Sequence, residues 1–320
     1  MNIDLSDEAL EYGRTAQAAL EAAGGDKLLE DAELEPARRA SLVSPVLAEL
    51  GAWELDPRGS ADELEAAAAL CRSAGWWAAP YPVAERLCRP ADLPVDGQVV
   101  VTGTAPAAPL AGLAGPWSAV TLDGRRFRVT PRGPARPPRT SAFVTGLDLT
   151  PVDADADGAA ERLADVTLGL VLGCWTLLGM LDRAMALTRA HVLERQQFGQ
   201  PLARFQGVQF QLTDAEVERA GVAELAGYAL WSVQARRPEA FDDALALRLG
   251  AVEAAETVFR ICHQLHGAMG FCDETTLSWV SRYSLPLRRL PLGRAGTEDV
   301  LTRRLGRRGL DGLFAGESFE

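Results

Sequence analysis

Arg195-Gln196-Gln197-Phe198-Gly199-Gln200-Pro201-Leu202, followed by Phe205-Gln206-Gly207-Val208-Gln209, is the stretch that decides the fold. It lies between two long apolar-periodic segments and so predicts a helix–turn–helix corner. Ahead of it, Leu170, Cys174, Leu177, Leu178, Leu181 and Met185 recur at three- and four-residue steps, as one buried helix face requires. Behind it, Phe210, Val217, Ala220 and Leu225 predict a second buried face. Gly199 and Pro201 interrupt the helix between them. The corner carries a cation at Arg195, a ring at Phe198 and amides at Gln197 and Gln206. A guanidinium suits forked contacts with phosphate oxygens. Each residue alone also fits a polar loop with one core Phe. The ordered set is far more specific than its members.

With 320 residues, 48% of them apolar, the chain can bury a large core in two or three subdomains. A net charge of −12 argues against a nucleic-acid or anionic-membrane partner. Lys27 is the only lysine, so the cations are nearly all Arg. Five Cys lie far apart with no CxxC pair. That predicts neither a disulfide framework nor a zinc site, and a reducing compartment. The acidic start, Met1–Glu8, lacks a signal-peptide pattern. The longest apolar run, Thr167–Met180, is broken by Gly and short for a membrane span. A cytoplasmic protein is the expectation.

Residues 1–90 read as helical, with Ser6 as an N-cap and Gly24-Gly25 closing the first helix. Further helices are predicted at 35–50, 60–74 and 83–88, the last after an extended Ala79-Pro80-Tyr81-Pro82. From about 93 to 152 the chain turns β-rich. Gln98–Thr102 and Ala119–Leu122 are strand-like, and Asp123-Gly124 predicts a hairpin returning through Arg125–Thr130. Four long helices follow, at about 158–194, 202–235, 239–266 and 297–308. Gly267-Ala268-Met269-Gly270 ends the third.

The third of these helices carries Glu253, Glu256, Arg260 and Gln264, then His266-Gly267-Ala268-Met269-Gly270-Phe271. Glu253 and Gln264 are eleven residues apart, close to three turns, so they share a face. Leu249, Ala268 and Met269 allow apolar surroundings in which a carboxylate would act as a base. The competing reading is a solvated Glu253 paired with Arg260 or a neighbour. The Gly-rich corner reads equally as a helix C-cap or as a place where a ligand approaches closely. His191, His263 and His266 lack metal-ligand spacing, so no metal site is predicted. No GxSxG elbow or strand-linked GxGxxG is present. The Trp76-Trp77 pair reads as packing.

Arg195-x-x-Phe198-Gly199-x-Pro201-Leu202 with Phe205-Gln206-x-Val208-Gln209, then Gln264 to Phe271, then Gly296-Thr297, resembles the acyl-CoA dehydrogenase family. The order and separation of all three agree, strongly over 160–308 and more loosely over the N-terminal helices. The resemblance implies a mainly α fold with a small β-domain. Its parts would be an N-terminal helical domain (1–92), a reduced middle β-domain (93–155) and a C-terminal four-helix bundle (156–320). It implies FAD as cofactor. Arg195, Gln197, Phe198 and Gln206 would meet its pyrophosphate and adenosine side across a subunit interface. Gln264, Gly267 and Ala268 would meet FAD from the neighbouring subunit, with Thr297 a further contact. Ala268 replaces the family's usual second Gly.

Two departures are larger. Most members carry the catalytic Glu just before the Gly-Thr pair, where this chain has Ala295. A minority, similar to isovaleryl-CoA dehydrogenase, carry the base on the preceding helix, which matches Glu253. The family's Thr-Glu-x-x-x-Gly-Ser-Asp flavin segment is missing from 93–152, and the only Trp there, Trp117, lacks the expected flanking residues. This resembles the short subunits of heterotetrameric acyl-CoA dehydrogenases that oxidise steroid side-chain thioesters. The implied activity is α,β-dehydrogenation of an acyl-CoA to a trans-2-enoyl-CoA, with Glu253 as base and an electron-transferring flavoprotein as acceptor. The implied assembly is a homo- or hetero-oligomeric dimer or tetramer. The rival reading is a non-catalytic partner subunit that contributes FAD contacts only.

Overall fold

Ser6 starts the first helix as predicted, its hydroxyl accepting the Ala9 N–H at 3.3 Å. This satisfies one of the amide donors that a helix start leaves open. The computed structural model describes residues 2–133, 142–152 and 158–308. Helix α1 (Asp7–Ala22) ends before Gly24 and Gly25, both at positive φ. Helices α2 (Lys27–Leu34), α3 (Arg39–Ala48), α4 (Ala61–Trp76) and α5 (Val83–Leu87) complete the N-terminal part. The expected 35–50 helix is shorter, because Pro36–Arg38 forms a tight 3₁₀ turn before α3.

The β-rich part is a five-stranded sheet in the order β1-β3-β4-β5-β2. Its strands are β1 (Gly97–Val101), β2 (Ala107–Ala108), β3 (Trp117–Thr121), β4 (Arg126–Pro131) and β5 (Thr145–Pro151). The predicted hairpin joins β3 and β4, with Gly124 at φ +80°. Strand β1 pairs with β3 in parallel, and β5 was not predicted. Trp117 is buried in the small sheet core with Val99, Val101 and Leu147. The expected boundary at 155–156 falls among residues 153–157, outside the described residues.

Helix α6 (Ala159–Glu194) is the axis of the molecule. It packs on α4, on α7 (Gln206–Gln234) and on α8 (Ala240–His266). Its length and hydropathy would suit a membrane span, but 72% of its apolar window is buried within the protein. That apolar surface is therefore spent on the core, and Leu170, Cys174, Leu177, Leu178 and Leu181 are all buried as their spacing predicts. The close approach of α4 needs two glycines: a Cβ on Gly75 or Gly179 would strike the other helix's backbone. Two short helices, α9 (Thr276–Tyr283) and α10 (Leu285–Arg289), were not predicted. The last helix, α11 (Arg294–Arg308), packs on α8.

Buried charges tie the three parts together. Asp165 on α6 receives Arg58 at 2.6 Å and Arg126 of β4 at 2.5 Å. Arg39 of α3 donates to the carbonyls of Pro80, Pro109 and Ala111 and stacks 4.0 Å from the Phe143 ring. Its burial pulls its pKa down to about 9.

The second apolar face predicted on α7 is real as a periodicity but is not buried in this chain. Phe210 is 58% exposed and Val217 65%. The buried side of α7 is Ala215, Val222, Ala226, Ala229 and Leu230.

Candidate flavin-binding corner

Helix α6 stops at Glu194, and the Arg195 N–H donates to His191 O at 2.8 Å. Two short arms follow, β6 (Gln196–Gln197) and β7 (Gln200–Pro201), closed by Leu202 N–H donating to Arg195 O. Phe198 and Gly199 form the turn at φ +53° and +80°. Positive φ at both central residues is what a tight two-residue hairpin requires. For Phe198 that backbone is strained. Its ring is 93% exposed, meeting Phe205 edge-on at 6.2 Å. A core Phe is therefore excluded.

The end of α8 meets the corner through histidines. The His191 and His266 rings stack 4.4 Å apart with 17° between their planes. His266 Nδ1 lies 2.9 Å from Cys262 O, so that nitrogen carries the proton and donates. His263 stacks on Phe271 at 4.3 Å and contacts Ser281 Oγ at 2.8 Å. Burial holds all three imidazoles below their ordinary value. Arg195 adds to this at His191, and His191 adds to it at His266. Gly267 follows at φ +63° as the helix stop, its N–H bonded to Gln264 O.

Arg195 makes no ion pair with the described residues, and the side chains of Gln197, Gln206 and Gln264 make no hydrogen bond with them. All four side chains are exposed, as is Ala268. A Cβ on Gly199, Gly207 or Gly267 would meet nothing within 4 Å. One end of the bundle thus presents a free guanidinium, three free amides and unobstructed backbone. Among the described residues no metal-binding cluster occurs.

Two expected site residues lie elsewhere in their chemistry. Thr297 is fully buried, and its hydroxyl donates to Gly293 O at 3.0 Å within its own turn. It braces α11 rather than facing an open surface. Glu253 does not lie in apolar surroundings. Its side chain is 42% exposed and bonded to Arg294 at 2.8 Å, with Glu256 3.8 Å from the same guanidinium. The partner is Arg294, not Arg260. Ala295 is the next residue, at the N-terminal end of α11. The sequence reading missed Arg294 and the His191–His266 stack, since nothing in the spacing links residues so far apart.

A family model described as "Acyl-CoA dehydrogenase, C-terminal domain" matches residues 168–310. "Acyl-CoA dehydrogenase FadE28" of Mycobacterium tuberculosis is 32% identical over 285 residues, covering 83% of this chain and 82% of that protein. The chain belongs to the acyl-CoA dehydrogenase family. Acyl-CoA dehydrogenases are FAD-dependent oxidoreductases acting on CH–CH bonds. Among solved structures, the ChsE4–ChsE5 complex from Mycobacterium tuberculosis matches with a TM-score of 0.74 at 18% identity, covering 96% of this chain and 99% of that chain. Butyryl-CoA dehydrogenase from Megasphaera elsdenii matches with a TM-score of 0.69 at 14% identity, covering 96% and 100%. These two likenesses establish the acyl-CoA dehydrogenase fold and nothing finer.

Proposed function

We propose that this chain is a partner subunit of a heteromeric acyl-CoA dehydrogenase, holding the phosphate and adenosine side of a FAD shared with a second chain. The observation that carries this is an asymmetry. The side chains of Arg195, Gln197, Gln206 and Gln264 are exposed and make no ion pair or hydrogen bond with the described residues, while the carboxylate of Glu253 is held by Arg294 and Ala295 offers no carboxylate. The donor set fits FAD there: a guanidinium for phosphate oxygens, amides for ribose and base edges, and an exposed Phe198 ring for stacking. The β-domain side fits less well, because Trp117 is committed to the sheet core.

FAD, when bound, would accept the hydrogen leaving the β-carbon of an acyl-CoA thioester, and an electron-transferring flavoprotein would reoxidise it. This chain's own part is to bind and orient. Arg195 would neutralise the pyrophosphate, and the stacked histidines would fix the spacing between the α6 and α8 ends. The exposed Phe210–Val217 face of α7 supports assembly, since an apolar face of that kind marks a protein interface. Five unpaired cysteines favour a reducing, cytoplasmic setting.

The experiment is purification of the tagged chain alone and from its native host. Alone, it should be free of yellow flavin. From the host, it should bring down a second acyl-CoA dehydrogenase chain together with FAD. Stoichiometric FAD and acyl-CoA oxidation by this chain alone would refute the proposal.

The second reading, Glu253 as the base, is favoured by one observation. Its ion-pair partner Arg294 adjoins Ala295, the family's usual base position. In that reading Arg294 must release the carboxylate, and Glu253→Gln is its test.

A further inference from the structure

The last turns of α6 and α8 are joined by a pair of titratable rings. His191 lies one turn before Arg195, and His266 is the last residue of α8, next to Gly267 and two after Gln264. The exposed donors of the corner therefore hang from the two turns that these rings connect. Both rings are half-buried, and they stack at 4.4 Å with 17° between their planes.

A stack of this kind tolerates one proton but not two. The His266 Nδ1–H donates to Cys262 O at 2.9 Å, so its other nitrogen is the one that takes up a proton. With one proton on the pair, the other ring stays neutral. With two, like charges lie 4.4 Å apart, where their repulsion is large even near a protein surface.

The charged and titratable groups that act on the pair do not relieve this. Arg195 and Glu194 face His191 from the end of α6, and Arg195 disfavours a second cation while Glu194 opposes it. His263, one turn back on α8, acts on His266 and is itself faced by Arg288 of α10. Among the described residues neither ring of the stack is in an ion pair with a carboxylate.

The links nearer the core are neutral. Cys262 Sγ bonds Ala184 O at 3.7 Å, and burial pushes that thiol up to about 11. Val192 and Leu265 belong to the main core. On the outer side a Cβ on Gly199 or Gly267 would meet nothing within 4 Å, so the turns beyond the rings have room to move.

We propose that the His191–His266 stack is a proton-operated clasp: taking up its second proton parts the last turns of α6 and α8 and scatters the donors Arg195, Gln197, Gln264 and Gly267. The clasp is shut above the ordinary imidazole range and opens as pH falls below it, because only parted rings accept both protons. It depends on this chain's own geometry, whichever ligand the corner holds.

The test is hydrogen exchange on the full chain at pH 7.5 and 5.5, expressed as protection factors so that the intrinsic pH dependence of exchange cancels. One extra proton on rings of pKa about 6.5 multiplies the open population about tenfold over that interval. Protection in 189–195 and 262–267 should fall by about that factor, while 170–181 stays unchanged. The double variant His191→Phe with His266→Phe keeps two rings but takes up no proton, and its protection should be flat with pH. His263→Gln should keep the fall, which separates the clasp from the third histidine. If the double variant does not fold, NMR titration of the wild-type imidazole Cε1–H signals decides: the His191 and His266 signals should move together in two steps. Unchanged protection in the wild type, a fall kept in the folded double variant, a fall lost in folded His263→Gln, or two independent single-step titrations would each overturn the proposal.

Discussion

Arg294 Nη2 lies 2.8 Å from Glu253 Oε1, bridging the middle of α8 to the first residue of α11. A carboxylate in such a pair is aimed at its cation, which suits structure better than proton abstraction. Glu253→Gln in the complete, FAD-loaded assembly should therefore keep turnover within about threefold of wild type, far from the roughly 10²–10⁴-fold loss expected of a general base. Enoyl-CoA formation with an artificial electron acceptor is the measurement. A hundredfold drop would make Glu253 the base and displace the partner-subunit reading.

Arg195 has no ionic partner among the described residues, so its removal should leave the fold intact. Arg195→Ala forfeits a charge-assisted contact of about 1.5–3 kcal/mol, weakening FAD affinity in the assembly about 10–150-fold. Flavin titration by fluorescence quenching, alongside far-UV circular dichroism, checks both halves. Unchanged affinity would remove Arg195 from the cofactor site.

The three histidines give stability a pH dependence of known sign. Burial lowers their pKa values in the folded state, so below about pH 6.5 the unfolded chain binds more protons. Their contribution is fully present above that value and is lost as pH falls through it toward the folded values. The raised pKa of Glu85 acts in the opposite sense at lower pH. Comparing wild type with His266→Gln cancels the Glu85 contribution. The urea midpoint of the wild type should fall from pH 7.5 to pH 5.5, and that of His266→Gln should fall less. Equal slopes would mean the His191–His266 stack is not proton-sensitive.

Phe210 and Val217 lie seven residues apart, within about 20° of one another round α7. Both are exposed, so Asp at either position costs the isolated chain little. Phe210→Asp and Val217→Asp should each shift the assembly toward monomer by light scattering while the melting profile of the monomer stays the same. An oligomer indifferent to both would place the interface elsewhere.

Much of this molecule is legible in the amino-acid sequence by itself. Ser6, Gly24-Gly25, Asp123-Gly124 and Gly267 each fix a cap or turn through a backbone preference that acts over a few residues. The buried face of α6 follows from a 3.6-residue period that a core helix must obey. The corner motif names the family for the same reason, since its order is linear and local. Periodicity does not say what will cover an apolar face. Phe210 and Val217 have the same spacing as core residues, yet the described residues leave both largely exposed.

What only the tertiary structure decided is pairing across long separations. Sequence spacing put Glu253 on a face with Gln264, but the group opposite it is Arg294, delivered by a different helix. Thr297 sits in the right motif, yet its hydroxyl is consumed by the Gly293 carbonyl one turn earlier. His191 and His266 became neighbours only when α6 and α8 packed side by side. Local sequence sets dihedral preferences and periodic faces. Which charge neutralises which, and which polar group is left without a partner, depends on how those faces are brought together in space.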